Sequence, residues 1–408
     1  MPRVLLILPT GTYRATDFVR AASALGVEVV VASEHRQAMA VSMEDRALVL
    51  PLDHPDAAAA AIVAFAADRS PVDAVVAVDE QGVLAAALAA GRLGLAHNPA
   101  TAVAATRDKL GSRTALAAAG VDQPAFRVAR PGDDVAALAT EVGLPCVVKP
   151  VSLSGSRGVM RADDPAAAAE AASRVRAILA DAGQDPTGPV LVESFVAGPE
   201  VAVEGLLTRG RLEVLAVFDK PDPLDGPYFE ETIYVTPSRL PAPTREAVVG
   251  LVAAGATALG LVEGPVHAEV RIGADGVRLV EVAARSIGGL CSRALRFGAG
   301  ISLEEVILRH ALGLGLDGLR REDQAAGVMM LPIPRSGCLV EVGGVESARA
   351  VPGIEGLELT IARGRPVRAL PEGDRYLGFL FARAPTPEAV EDALRRAHAH
   401  LEVVIEAS

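Results

Sequence analysis

The sequence predicts a chain of two classes, an open parallel α/β sheet in its N-terminal part and antiparallel α+β structure in the remainder. Three observations predict it. Short β-branched runs alternate with helical stretches over residues 4–91. Residues 264–290 alternate apolar and polar, turn, and alternate again, which is the mark of a hairpin. Half the residues are hydrophobic, yet only 3% are aromatic and none is Trp, so the core must be Ala, Val and Leu packing of the kind that lays helices on sheets.

In chain order, residues 4–8 read as a buried strand, 10–12 as a loop, 15–25 as a helix stopped by Gly26, and 27–32 as a second strand. Strand 47–50, helix 55–67, strand 74–78 and helix 82–91 continue the alternation. The first loop lacks GxGxxG, which argues against a dinucleotide site. Asp79 and Glu80 follow the C-terminal end of a strand, where open α/β sheets bind ligands, although a helix N-terminus would want the same acids.

A helical region opens at Asn98, carries Arg107, Asp108 and Lys109, and runs to Ala119. After a helix over 133–141, strand 146–150 brings Lys149 to the start of the run Ser152, Leu153, Ser154, Gly155, Ser156, Arg157, Gly158. A cation at a strand end followed by small residues outlines a phosphate cradle, and a plain hairpin turn explains it as well. Helix 164–182, strand 190–196, strands 201–207 and 212–218, an acid-rich loop over 220–238 and helix 244–261 lead to the hairpin. Helix 303–312 follows it, and the last part alternates strands and turns before helix 387–400 and strand 401–405.

The hairpin carries the chemistry. If Ala274, Asp275 and Gly276 form a three-residue loop, Val277 returns opposite Gly273 and Glu281 falls opposite Glu269. Ala268, Val270 and Ile272 then face one way and His267, Glu269 and Arg271 the other. Two carboxylates so opposed repel by roughly 3 kcal/mol at ~5 Å and an effective dielectric of about 20. A divalent cation would turn that cost into binding, and Mg²⁺ held by one or two carboxylates plus phosphates is the usual arrangement. A solvated face offset by Arg271 and Arg278 is the other reading.

A net charge of −12 with no basic stripe argues against nucleic acid as a partner. Cys146, Cys291 and Cys338 are too widely spaced for a metal motif or disulfide framework, which suits a reducing cytoplasm. The apolar run after Met1 is too short for a signal peptide, and residues 57–67 are too few and too Ala-rich to span a bilayer, so no membrane association is expected.

The ordered set of helix Lys109, strand Lys149, small-residue loop, hinge Glu193 to Val196, Glu200, and two acids twelve positions apart resembles the ATP-grasp superfamily over nearly the whole chain. The resemblance implies an N-terminal α/β domain (1–97), a helical linker and lid subdomain (98–200), a catalytic antiparallel-sheet domain (201–326) and a C-terminal α+β subdomain (327–408). It also implies ATP and Mg²⁺ as cofactors, with Mn²⁺ as a substitute metal. Lys109 and Lys149 would meet phosphates, Ser154, Gly155, Ser156 and Gly158 would form the phosphate loop, Glu193 and Val196 would bracket the adenine edge, and Glu200 would take the ribose hydroxyls. Glu269 and Glu281 would hold the metal, while Ala283 stands where many relatives carry a third ligand, Asn.

Arg285 would meet an acyl phosphate or carboxylate, and Gly288 and Gly289, read as preceding a helix, would offer an oxyanion site, unless they only make a tight turn. The run from Ala284 to Gly289 and the stretch Phe379 to Ala382 are similar to the L-amino acid ligases. That points to a carboxylate–amine ligase acting on small-molecule, amino-acid-like carboxylate and amine substrates through an acyl phosphate. Relatives suggest a homodimer. Lys220, Tyr228, Glu230, Glu231 and His267 are the candidate substrate residues, His267 being a ligand, a general base or a hydrogen-bonded structural residue. A biotin-carboxylase-like or purine-pathway ligase, and a nucleotide-binding protein without turnover, are the alternatives.

Overall fold

The structure is a computed structural model that describes residues 1–35, 46–69, 71–298 and 300–407. The N-terminal strands Arg3–Ile7, Glu28–Ser33, Ala47–Val49 and Ala74–Ala77 form the parallel sheet that the alternation predicts. Their buried Val, Leu and Ile residues pack on the Ala faces of helices Pro55–Asp68 and Val83–Leu93.

The helical region after Asn98 is two helices, Ala100–Arg107 and Lys109–Ala118, where the sequence reads as one. Asp108 leaves the helical region at φ −108°, ψ 102° and its carboxylate accepts the Leu110 N–H, so it ends one helix and caps the next. Lys109 is thereby set on the first turn of the second helix.

The lid is an antiparallel sheet of order Phe126–Ala129, Val190–Ser194, Cys146–Pro150 and Met160–Ala162. Helices Val135–Val142 and Pro165–Asp181 cover it. The hinge after Ser194 leads into an eight-stranded antiparallel sheet, ordered Gly276–Ala283, Gly264–Gly273, Glu200–Thr208, Arg211–Lys220, Ile233–Thr236, Ala325–Leu331, Gly378–Ala384, Ile354–Leu359. The boundary expected at residue 327 therefore falls inside the strand Ala325–Leu331, and one sheet runs across it. The long loop expected over 220–238 is shorter, because Ile233–Thr236 is a fully buried strand joining the two halves of that sheet.

Candidate active site

The hairpin strands Gly264–Gly273 and Gly276–Ala283 do place Glu269 directly opposite Glu281. The route differs from the expected one. The turn has two residues, Ala274 and Asp275, with Gly273 opposite Gly276, and the ladder near it pairs Ile272 with Val277 and Val270 with Leu279. That register alone would set Glu269 against Val280. A bulge between Glu269 and Val270 absorbs Val280 and brings the two acids onto one face.

Arg113, which the sequence reading did not single out, holds that bulge. Its guanidinium donates to the carbonyls of Val280 (2.7 Å) and Leu279 (3.3 Å). It also forks onto Glu193 at 2.7 and 3.0 Å, and Glu193 takes the Lys149 ammonium at 2.7 Å. Lid strand, linker helix and hairpin therefore meet at one buried ion triad. Burial pushes the Lys149 ammonium down to about 8 against the pull of Glu193. Burial also works to raise the Glu193 carboxyl, but Arg113 and Lys149 together hold it at about 2. The Glu193 carboxylate is thus committed to this junction.

Residues 151–159 link the antiparallel strands Cys146–Pro150 and Met160–Ala162, so the small-residue run is both a hairpin connection and a candidate phosphate loop. Gly155, Ser156 and Gly158 have φ of 65°, 56° and 74°. For Ser156, a non-glycine, that conformation costs on the order of 1 kcal/mol. Lys109 ties the loop to the hairpin: its N–H donates to Val151 O at 3.0 Å, its Nζ to Leu153 O at 2.6 Å, and the same Nζ lies 3.8 Å from Glu281. Val196 lies in the hinge against Gly273.

Lys220 collects the remaining acids. Its buried ammonium lies 2.6 Å from Glu200, 2.5 Å from Glu231 and 3.1 Å from Glu269, and 5.0 Å from the Tyr234 ring centroid. Burial works against its charge, yet the three carboxylates hold its pKa well above the usual lysine value. Burial, with Glu269 adding to it, pushes Glu231 up to about 7. Glu200 also lies 3.4 Å from Arg271. Carboxylate oxygens of Glu200, Glu231 and Glu269 lie within 4.8 Å of one another, a hard-oxygen set suited to a divalent cation, with the Lys220 ammonium as a built-in positive stand-in. Glu281 is paired with Glu269 on the neighbouring strand and lies against Lys109, outside the three carboxylates that converge here. The donors present fit Mg²⁺, and Ala283, buried opposite His267, adds none.

His267 lies between Glu204 (3.2 Å) and Glu269 (3.8 Å). Burial works to lower its imidazole, but hydrogen bonding to these carboxylates raises it to about 9, which favours the charged ring between them. Glu204 also accepts the Ile287 N–H at 2.9 Å, fixing the loop that carries Arg285.

Arg285 donates from Nε to Glu80 at 2.9 Å, and Arg107 lies 3.5 Å from the same acid. The N-terminal sheet thus reaches the loop that carries Arg285 through Glu80, the acid whose role the sequence left open. Gly288 and Gly289 precede a single four-residue 3₁₀ turn, Cys291–Ala294, too short to supply the helix dipole expected there. Gly289 sits at φ 59°, and a Cβ there would lie 2.9 Å from the Phe379 ring, so the tight-turn reading accounts for it. Tyr228 faces the lid, where its hydroxyl accepts from Arg174 at 2.8 Å, and Glu230, raised by burial, stands beside Ile333.

An antiparallel lid sheet hinged to a larger antiparallel sheet is the ATP-grasp arrangement, and the chain belongs to that superfamily. Residues 142–294 match the ATP-grasp domain family and 19–97 the ATP-grasp N-terminal domain. Within the superfamily the chain resembles the L-amino acid ligases in its last part, where residues 329–406 match L-amino acid ligase C-terminal domain 2. The crystal structure of the L-amino acid ligase from Bacillus licheniformis aligns at a TM-score of 0.80 and 26% identity, over 100% of this chain and 99% of that one.

The alanine–anticapsin ligase of Bacillus amyloliquefaciens is 26% identical over 273 residues, 63% of this chain and 57% of the relative. The uncharacterized protein y4rH of Sinorhizobium fredii (strain NBRC 101917 / NGR234) is 29% identical over 291 residues, 71% of this chain and 59% of the relative. The chain spans somewhat more than half the length of these curated relatives.

Proposed function

We propose that the chain is an ATP-dependent carboxylate–amine ligase that joins two amino-acid-like substrates through an amide bond, releasing ADP and phosphate. The observation that carries this reading is the face-to-face pair Glu269 and Glu281, set on one side of a hairpin whose register is held by the same ion triad that holds Lys149. The likeness to an L-amino acid ligase and to an alanine–anticapsin ligase favours the substrate class.

Glu269 and Glu281 would hold Mg²⁺, or Mn²⁺ in its place, which supplies positive charge to a polyphosphate. Lys109 and Lys149 would bind phosphate oxygens alongside the loop at 151–159, and Arg285 would orient the reacting carboxylate with its planar fork. Glu231, next to Lys220, would receive an ammonium group of a substrate. The lid excludes water, since an acyl phosphate left in solvent hydrolyses. Three free thiols and the lack, among the described residues, of a helix long and apolar enough to cross a membrane suit a cytoplasmic setting.

An ADP-release screen over pairs of amino acids, with mass detection of products, tests the reading. Release that requires a pair and yields a product heavier by one acyl group is expected. Release dependent on bicarbonate or formate alone would overturn it.

The Lys149 environment gives a separate expectation. Its ammonium, lowered to about 8, is partly deprotonated at pH 8.5 in the free protein, and phosphate oxygens placed beside it raise its pKa. Nucleotide binding at pH 8.5 should therefore take up protons, and at pH 6.5, where Lys149 is already charged, that uptake should vanish. Titration calorimetry in buffers of different ionisation enthalpy measures it.

A further inference from the structure

The loop between Lys220 and Ile233 carries Glu230 and Glu231 and is gripped from both sides of the nucleotide cleft. The lid strand Met160–Ala162 directly follows the candidate phosphate loop. From it, Arg161 donates its main-chain N–H to Pro227 O at 2.9 Å and its guanidinium to Asp225 O at 2.7 Å, while Met160 bridges to Tyr228. From the catalytic hairpin, Arg271 donates to the adjacent carbonyl, Leu224 O, at 2.7 Å.

The two guanidinium groups also approach one ring. Arg161 lies 4.6 Å and Arg271 4.9 Å from the centroid of Phe195, which belongs to the hinge joining the lid sheet to the eight-stranded sheet. Each cation gains from the ring face. Gly226 completes the fit: its φ is 92°, and a Cβ there would lie 2.8 Å from the Arg161 Cβ.

We propose that Arg161 is a positioning residue that locks the loop bearing Glu230 and Glu231 to the nucleotide lid, so that lid and substrate-facing loop move as one body. The inference rests on the ligase reading above and adds the means by which nucleotide binding would order the amino-acid side of the site. Coupling of this kind is reciprocal, so an occupied amino-acid site would in turn tighten nucleotide binding.

Amide hydrogen exchange on the full chain, with and without Mg²⁺ and a non-hydrolysable ATP analogue, tests it. In the wild type, amides of residues 225–232 should gain protection together with those of 151–159, by about tenfold. Arg161→Met keeps an apolar stem near Phe195 but loses the donor to Asp225 O; it should keep the gain at 151–159 and lose most of that at 225–232. Arg161→Lys, which can still donate to that carbonyl, should retain part of it. Equal protection of 225–232 in Arg161→Met and wild type would overturn the proposal, as would a wild-type loop that ignores nucleotide while 151–159 responds.

Should the methionine change loosen the lid sheet itself, Gly226→Ala decides, since its Cβ strikes the Arg161 stem; an undiminished loop response there refutes the coupling. A wild type that shows no protection anywhere fails to bind nucleotide, which refutes the ligase reading and the coupling together.

Discussion

Arg113→Met should lower the unfolding free energy by about 3–5 kcal/mol, the usual cost of removing one partner from a buried ion pair. On a thermal scan that is a fall on the order of 10 °C. The substitution leaves Glu193 with Lys149 alone and deprives the carbonyls of Leu279 and Val280 of their donors. Arg113→Lys should recover only part, because a point charge cannot reproduce the fork. Arg107→Met, which removes a partly exposed pair with Glu80, should cost under about 1 kcal/mol.

The loss should also depend on pH in a definite sense. Glu193 is held at about 2 in the folded chain against 4.5 for the unperturbed group, so its contribution is present above pH 4.5 and is lost as pH falls toward 2. The stability gap between wild type and Arg113→Met should accordingly narrow over that window. Denaturant titrations at pH 7 and pH 3 measure the gap, and a constant gap would show that Arg113 does not act through the charge of Glu193.

Glu281→Ala should reduce ADP release by at least about a hundredfold while leaving the fold intact. Its side chain is 33% exposed and its ion pair with Lys109 is long, at 3.8 Å, so little stability depends on it. Glu269 is a poorer choice for a first test, because its removal also disturbs Lys220 and His267. An unchanged melting curve beside a collapsed rate is the expected pairing for Glu281→Ala. Near-normal release in that variant would remove the metal assignment.

Much of this site was legible in the sequence because its signals are local. Strand alternation marks the hairpin, a Lys before small residues marks the candidate phosphate loop, and the twelve-residue spacing of two acids survives an error in the turn. The turn is one residue shorter than expected and the bulge at Val280 restores the register, two departures that cancel at Glu269 and Glu281. Nothing local announces a bulge whose support is an arginine more than 160 positions away.

The same distance hid Arg113, which reads as one more charge on a helix until Glu193 is folded against it. Glu80 and Arg285, 205 positions apart, meet only across two domains. Lys220 was visible as a cation near acids, but its grip on three carboxylates depends on the pairing of Glu200, Lys220 and Glu269 strands, which the sequence does not order. The helix expected after the glycine pair is a short 3₁₀ turn, with Gly289 fitted to Phe379 from a distant strand.

Counting bound Mn²⁺ by electron paramagnetic resonance, with ADP present, tests the central claim most directly. The wild type should hold nucleotide-dependent Mn²⁺, and Glu281→Gln, matched in size but without the charge, should lose it while still unfolding at the wild-type temperature. Identical Mn²⁺ titrations for the two proteins would mean that the opposed acids of the hairpin do not bind the metal.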